Sequence, residues 1–163
     1  MDGHLIASIE FKSQVGSFGN NANNRAEEAI GSAQDFWTAY RDGAFGESHR
    51  PWLGYFMLLE EAPESTKPIR SIAEPHFPVF PEFRNASYAR RYEELCLRLV
   101  RERMYEAACL LLSPQDRGLD GEFREVRSEI GYTTFFGSLL ANVGAFLATR
   151  SLSSGAGTLL SPE

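Results

Sequence analysis

Leu5-Ile6-Ala7-Ser8-Ile9-Glu10-Phe11-Lys12-Ser13-Gln14 is the stretch from which the fold of this chain is read. Side chains alternate along an extended backbone, so Leu5, Ala7, Ile9 and Phe11 share one side and Ile6, Ser8, Glu10, Lys12 and Gln14 the other. Glu10 and Lys12 therefore leave the same face of a strand. A carboxylate and an ammonium emerging side by side from a buried strand can hold a divalent metal and steer an attacking water beside a phosphate. The same pair also serves as a plain ion pair at a solvated strand edge, and the tripeptide alone leaves both readings open.

Working outward, Gly16 to Asn24 is rich in Gly, Asn and Ser and reads as a loop. The side chains of Asn20, Asn21, Asn23 and Asn24, with Arg25 behind them, are suited to base edges or phosphates, although Asn24 is also placed to cap a helix. From Arg25 to Arg41, Ala26, Ala29, Ile30, Ala33, Phe36, Trp37 and Tyr40 recur at helical spacing, and Gly43 closes the element. Glu27 and Glu28 fall in its first turn, where carboxylates favour the positive end of the helix dipole, and a metal role is open to either. Trp52 to Leu59 reads as a strand buried on both faces beside the Glu10 strand. The five prolines between Glu61 and Phe83 exclude one regular element and predict a long surface loop carrying His76.

Ser87 to Tyr105 predicts a charged amphipathic helix, with Tyr92, Leu95, Cys96, Leu99 and Val100 inward and Arg90, Arg91, Glu94, Arg98, Arg101 and Glu102 outward. Ala107 to Leu112 reads as a short strand, and Arg117 to Ile130 as a loop. Tyr132 to Thr149 has apolar residues at helical spacing and is expected to close the core or form a dimer interface. The order strand, helix, strand, helix, short strand, helix implies an α/β fold, a mixed sheet flanked by helices. Residues 1–150 make one partial domain, and 151–163 a tail without periodicity, expected to be disordered.

At 163 residues and 43% hydrophobic, with twelve Phe, the chain can build one core and is not a disordered segment. A formal charge of −6 excludes a surface coated for nucleic acid but not a local basic cleft. Cys96 and Cys109 lack partners at zinc-binding spacing and read as buried thiols of a reducing cytoplasm. No basic segment precedes an apolar core, and no uninterrupted apolar run reaches membrane-spanning length, so neither secretion nor membrane insertion is supported.

The longer text around the first strand resembles the XhoI-type family of type II restriction endonucleases. The resemblance runs through Glu10-Phe11-Lys12-Ser13-Gln14-Val15-Gly16, Phe18-Gly19-Asn20-Asn21, Asn23-Asn24-Arg25-Ala26-Glu27-Glu28 and Asp35-Phe36-Trp37. It continues through Arg50-Pro51-Trp52-Leu53-Gly54-Tyr55, Glu74-Pro75-His76-Phe77 and Val79-Phe80-Pro81-Glu82-Phe83 to Leu99-Val100-Arg101-Glu102-Arg103, and thins after Pro114. It implies a restriction-endonuclease-like PD-(D/E)xK core that cuts double-stranded DNA with Mg²⁺ at a short palindrome, CTCGAG in the founding members. Under it Glu10 ligates the metal, Lys12 orients the attacking water and stabilises charge on the phosphate, and Gln14 lies near the metal or phosphate.

A homodimer is expected for a twofold site. In the resembled family an aspartate on the preceding strand also binds metal, and no residue here takes that place; Asp2 lies in a turn. Because Asp2-Gly3 directly before a strand is a hairpin signal with no strand ahead of it, the chain is expected to begin inside a domain, lacking the core's first strands. It is then expected to be inactive or nearly so, whereas a version extended upstream cuts DNA. Two alternatives are a metal-free DNA-binding remnant and a structural α/β interaction module in which Glu10 and Lys12 are only an ion pair.

Overall fold

A computed structural model of the chain describes residues 3–46, 48–69 and 76–156. Asp2 and the Glu74-Pro75 part of the motif that ends at His76-Phe77 lie outside the described residues. The first strand, β1 (Ala7–Gln14), is followed by helix α1 (Phe18–Arg41) and strand β2 (Trp52–Glu60). A one-turn helix α2 (Pro63–Thr66) opens the proline-rich segment, and α3 (Tyr88–Arg101) leads to β3 (Ala107–Ser113). A two-residue strand β4 (Arg124–Glu125) and a long helix α4 (Tyr132–Ala156) complete the described fold.

The four strands lie in the order β1-β2-β3-β4; β1, β2 and β3 are parallel and β4 is antiparallel to β3. This is the mixed sheet flanked by helices read from the pattern. When strand order advances in one direction, the usual right-handed crossover sends successive helices to the same face. Accordingly α1 and α3 share one face, packed on Leu53, Tyr55, Met57 and Leu59 of β2 and Ala108, Leu110 and Leu112 of β3. The alternate residues Trp52, Ala107, Cys109 and Leu111 point the other way, onto Phe135 of α4. β2 and β3 are thus covered on both sides, which is why they read as near-continuous apolar runs.

α1 begins seven residues before Arg25, so the expected Gly16–Asn24 loop shrinks to a short turn. Phe18 and Ala22 extend the buried spacing of Ala29, Ala33 and Trp37, and this tertiary anchor overrides the poor helix propensity of four asparagines. Gly16 and Ser17, with φ of 58° and 45°, take the left-handed conformation that turns the chain off β1. Asn24 is therefore inside the helix and does not cap it.

α3 is capped by Ser87, whose hydroxyl accepts from the Arg90 N–H at 3.1 Å. It stops at Arg101, short of the Tyr105 expected, and Arg103 at φ 58° reverses the chain. Glu94, expected outward, is buried with Glu93, and both are held by Arg90, with Arg127 also on Glu93 at 2.9 Å. A buried carboxylate so paired escapes the full cost of losing water. The Arg117–Ile130 loop contains β4, pinned by Arg124 to Glu61.

α4 continues helically through Ala156, past the boundary at 150 where a tail was expected; 157–163 lie outside the described residues. Tyr132–Leu152 also reaches membrane-spanning length at a mean hydropathy of 1.2, a run that Thr, Ser, Gly and Asn disguise in the sequence. It is docked on the domain. Phe135 is fully buried, Trp52 Nε1–H donates to Ser138 Oγ at 3.0 Å, and Asn142 donates to the Ile6 carbonyl at 3.2 Å.

Candidate active site

Glu10 and Lys12 emerge from β1 toward α1, as their two-residue spacing requires. Ala29 and Ala33, both fully buried, are small enough to bring α1 close over this face. The result is a cleft in which the side chains of Glu10 and Lys12 are 15% and 24% exposed. Arg25, Glu28 and Ser32 recur at helical spacing and so line one face of α1 beside the pair.

The Glu10 carboxylate is held on both oxygens. Its Oε1 lies 3.2 Å from Lys12 Nζ and accepts from Ser32 Oγ at 3.4 Å. Its Oε2 accepts from the Tyr105 hydroxyl, which also lies 2.9 Å from the Ala29 carbonyl oxygen. Lys12 reaches Glu28 Oε2 at 3.3 Å as well, and the same oxygen is held by Arg25 at 2.6 Å. A pocket of about 350 Å³ opens on the pair, walled by Ser8, Ser32, Phe36, Leu53 and Tyr105. A larger apolar pocket of about 430 Å³ between α1 and α3 has no carboxylate among its lining residues, so it is not where this chemistry sits.

Electrostatics fix the protonation of the cations and donors here. Partial burial pulls the Lys12 pKa down, but its hydrogen bonds to Glu10 and Glu28 and their charge outweigh it, and the net direction is upward. Lys12 is an ammonium at neutral pH. Glu28 is shifted below the ordinary carboxylate value, first by its hydrogen bond from Arg25 and then by Lys12. Burial, reinforced by the Glu10 charge, drives the Tyr105 phenol far above its ordinary value. Tyr105 therefore remains a proton donor.

Among the described residues no group of three or more His, Cys, Asp or Glu side chains could hold a metal ion. Glu10 is the one carboxylate lining this pocket. A hard oxygen ligand of this kind suits Mg²⁺, which keeps several waters and is held by one or two carboxylates together with substrate phosphates. The donor type fits the ion, and the described residues supply one such ligand at this pocket.

The structure brings Glu10 and Lys12 together and leaves Gln14 apart. Gln14 shares their face of β1 but is only 3% exposed, its Nε2 donates to the Gly16 carbonyl, and its Oε1 has no partner. It braces the turn into α1. Asn20, Asn23 and Asn24 are exposed and Asn21 half-buried on the first turns of α1; none of them lines the Glu10 pocket. Arg25 alone of that group is coupled to the site, through Glu28. Glu27 and His76 are exposed and take no part in these contacts.

Two residues of the cleft went unread in the sequence, Ser32 and Tyr105. Ser32 had a signal, since it follows Glu28 by one helical turn. Tyr105 had none, because the αL residue Arg103 that turns it inward is not a glycine.

The chain is a four-stranded α/β domain that carries a carboxylate and an ammonium side by side on its first parallel strand. The family model of restriction endonuclease XhoI matches residues 1–125, and the chain belongs to that family. The type II restriction enzyme BstVI of Geobacillus stearothermophilus is 52% identical over 151 residues, 92% of this chain and 67% of that protein. The type II restriction enzyme XhoI of Xanthomonas vasicola is 46% identical over 124 residues, 76% of this chain and 50% of that protein. The type II restriction enzyme AbrI of Azospirillum brasilense is 64% identical over 77 residues, 47% of this chain and 34% of that protein. The chain thus spans between about a third and two thirds of the length of these curated relatives. No solved structure matches it.

Proposed function

We propose that this chain carries the hydrolytic half-site of a cytoplasmic type II restriction endonuclease of the PD-(D/E)xK kind, cutting double-stranded DNA at CTCGAG within a restriction-modification system. The observation that supports the reading is the Glu10–Lys12 pair, a carboxylate and a protonated lysine 3.2 Å apart at the mouth of a pocket. Glu10 is the residue that would hold Mg²⁺, and the bound ion would supply Lewis-acid polarisation of a phosphate oxygen and a more acidic water. Lys12 is an ammonium, so it does not take a proton from water; it orients the water and offsets charge growing on the phosphate. Glu28 holds Lys12 from the helix side, and Arg25 is the cation of this cluster nearest the exposed asparagines. Asn20, Asn21, Asn23, Asn24 and Arg25 form the surface offered to the duplex, and Gln14 supports them by fixing the turn that starts α1.

A palindromic site and a double-strand cut call for two such half-sites related by a twofold axis, so the active species is a homodimer. Sedimentation in the presence of a CTCGAG duplex is expected to give two chains per duplex; one chain per duplex contradicts the dimer. With a single carboxylate, metal is held weakly. Plasmid carrying one CTCGAG site is therefore expected to be cut slowly by residues 1–163, at Mg²⁺ well into the millimolar range. Full-rate cutting at micromolar Mg²⁺ would show that the ligand set is read wrongly.

A further inference from the structure

Tyr105 stands where three elements meet. It lies in the turn from α3 into β3, is 1% exposed, and sends its hydroxyl to the Glu10 carboxylate of β1 and the Ala29 carbonyl of α1. We propose that Tyr105 is a positioning residue that fixes the plane of the Glu10 carboxylate for a divalent cation. The proposal rests on the reading of Glu10 as the metal-facing carboxylate.

The last torsion of a glutamate is soft and broadly distributed, so an unsupported Glu10 carboxylate has no set plane. Lys12 and Ser32 both act on Oε1, which leaves rotation about the line through that oxygen open. Tyr105 acts on Oε2 and closes it. Lys12 is a poor brace in any case, because its flexible ammonium is shared with Glu28 at 3.3 Å.

Tyr105 is a stiff one. Its ring packs edge-on against Tyr55 with centroids 5.4 Å apart, and Tyr55 is the residue that faces Glu10 across the β1–β2 register. The hydroxyl has a single proton, shared between two acceptors, the Glu10 carboxylate of β1 and the Ala29 carbonyl of α1. A partner that holds a metal ligand from behind in this way typically sets affinity by a factor of about 10–100.

The test is Mn²⁺ binding to residues 1–163, followed by the electron paramagnetic resonance of the free ion, for wild type, Tyr105→Phe, Glu10→Gln and the double variant. Tyr105→Phe keeps the ring and is expected to weaken binding about tenfold. The same change in the Glu10→Gln background is expected to have no further effect. Tyr55→Phe, which removes a neighbouring buried hydroxyl that does not touch Glu10, is the control for general disturbance and is expected to bind as wild type. Unchanged binding in Tyr105→Phe, or equal weakening with and without Glu10, overturns the proposal while leaving Glu10 as the ligand.

Wild-type affinity in Glu10→Gln overturns the underlying reading instead, and the proposal with it. A second measurement needs no variant: on adding Mg²⁺ to wild type, the nuclear resonance of the Tyr105 hydroxyl proton is expected to shift and that of Tyr55 to stay. A Tyr105 hydroxyl indifferent to Mg²⁺ also overturns the proposal.

Discussion

Lys12 sits 3.2 Å from Glu10 and 3.3 Å from Glu28, and these two carboxylates hold its amine protonated. The two cysteines show the opposite use of a side chain. Cys96 is fully enclosed and Cys109 lies under α4; burial pushes the Cys109 thiol up to about 12 and Cys96 upward as well. Since the thiolate is the reactive form, the folded protein is expected to leave both thiols unmodified by iodoacetamide at pH 8, and to take up two equivalents once unfolded in urea. Rapid labelling of the native protein contradicts this burial. At this scale the sequence was informative where spacing alone places a group, as for Glu10 and Lys12 on one strand face. It was silent on Tyr105, whose place depends on how a turn resolves between two elements, and on the bond that holds Gln14, on the same face, to the Gly16 carbonyl of the turn that follows.

At the level of elements, β2 is the strand on which the helices converge, and Gly54 is its tightest point. A Cβ there would run into the Trp52 ring and come within 2.7 Å of Phe135, the residue that docks α4. Neither ring has room to retreat, since Trp52 is 3% exposed and Phe135 fully buried. Gly54→Ala is therefore expected to cost about 2–3 kcal/mol by overpacking and to lower the melting temperature by about 4–12 °C in a chain of this size. A change of less than about 1 °C would show that α4 is not seated as described. β1, α3 and the core stripe of α1 were legible because apolar residues repeat with a period of two or near 3.6 along them, and β2 and β3 because each is a short continuous apolar run. The start of α1 was not, because Phe18 and Ala22 recruit an asparagine-rich segment whose own propensity is for turns. The outward placement of Glu94 failed for a similar reason: Arg90 neutralises it at a position that periodicity assigns to solvent.

The whole molecule buries phenols and thiols against both faces of the sheet, and this has a consequence at high pH. An unfolded chain begins to lose thiol protons near their ordinary value of 9.0 and phenol protons near 10.0, whereas the fold retains them, with Cys109 and Tyr92 each raised to about 12 and Tyr55 and Tyr105 raised further. The unfolded state then binds fewer protons than the native one, so stability falls as pH rises. The urea midpoint is expected to hold steady to about pH 9 and to decline from there toward pH 12, whereas a midpoint that rises over this range contradicts the burial of these groups. Family and architecture were both readable at this scale, because the motif text around Glu10 and the order of elements point the same way. The central claim is that the Glu10–Lys12 pair does the cutting, and the measurement that meets it most directly is the single-turnover rate of plasmid cleavage at saturating Mg²⁺ for wild type, Glu10→Ala and Lys12→Met, with duplex affinity measured in Ca²⁺ alongside. Each variant is expected to bind DNA within about threefold of wild type and to cut at least about a hundredfold more slowly; cleavage by either variant at the wild-type rate would contradict the account.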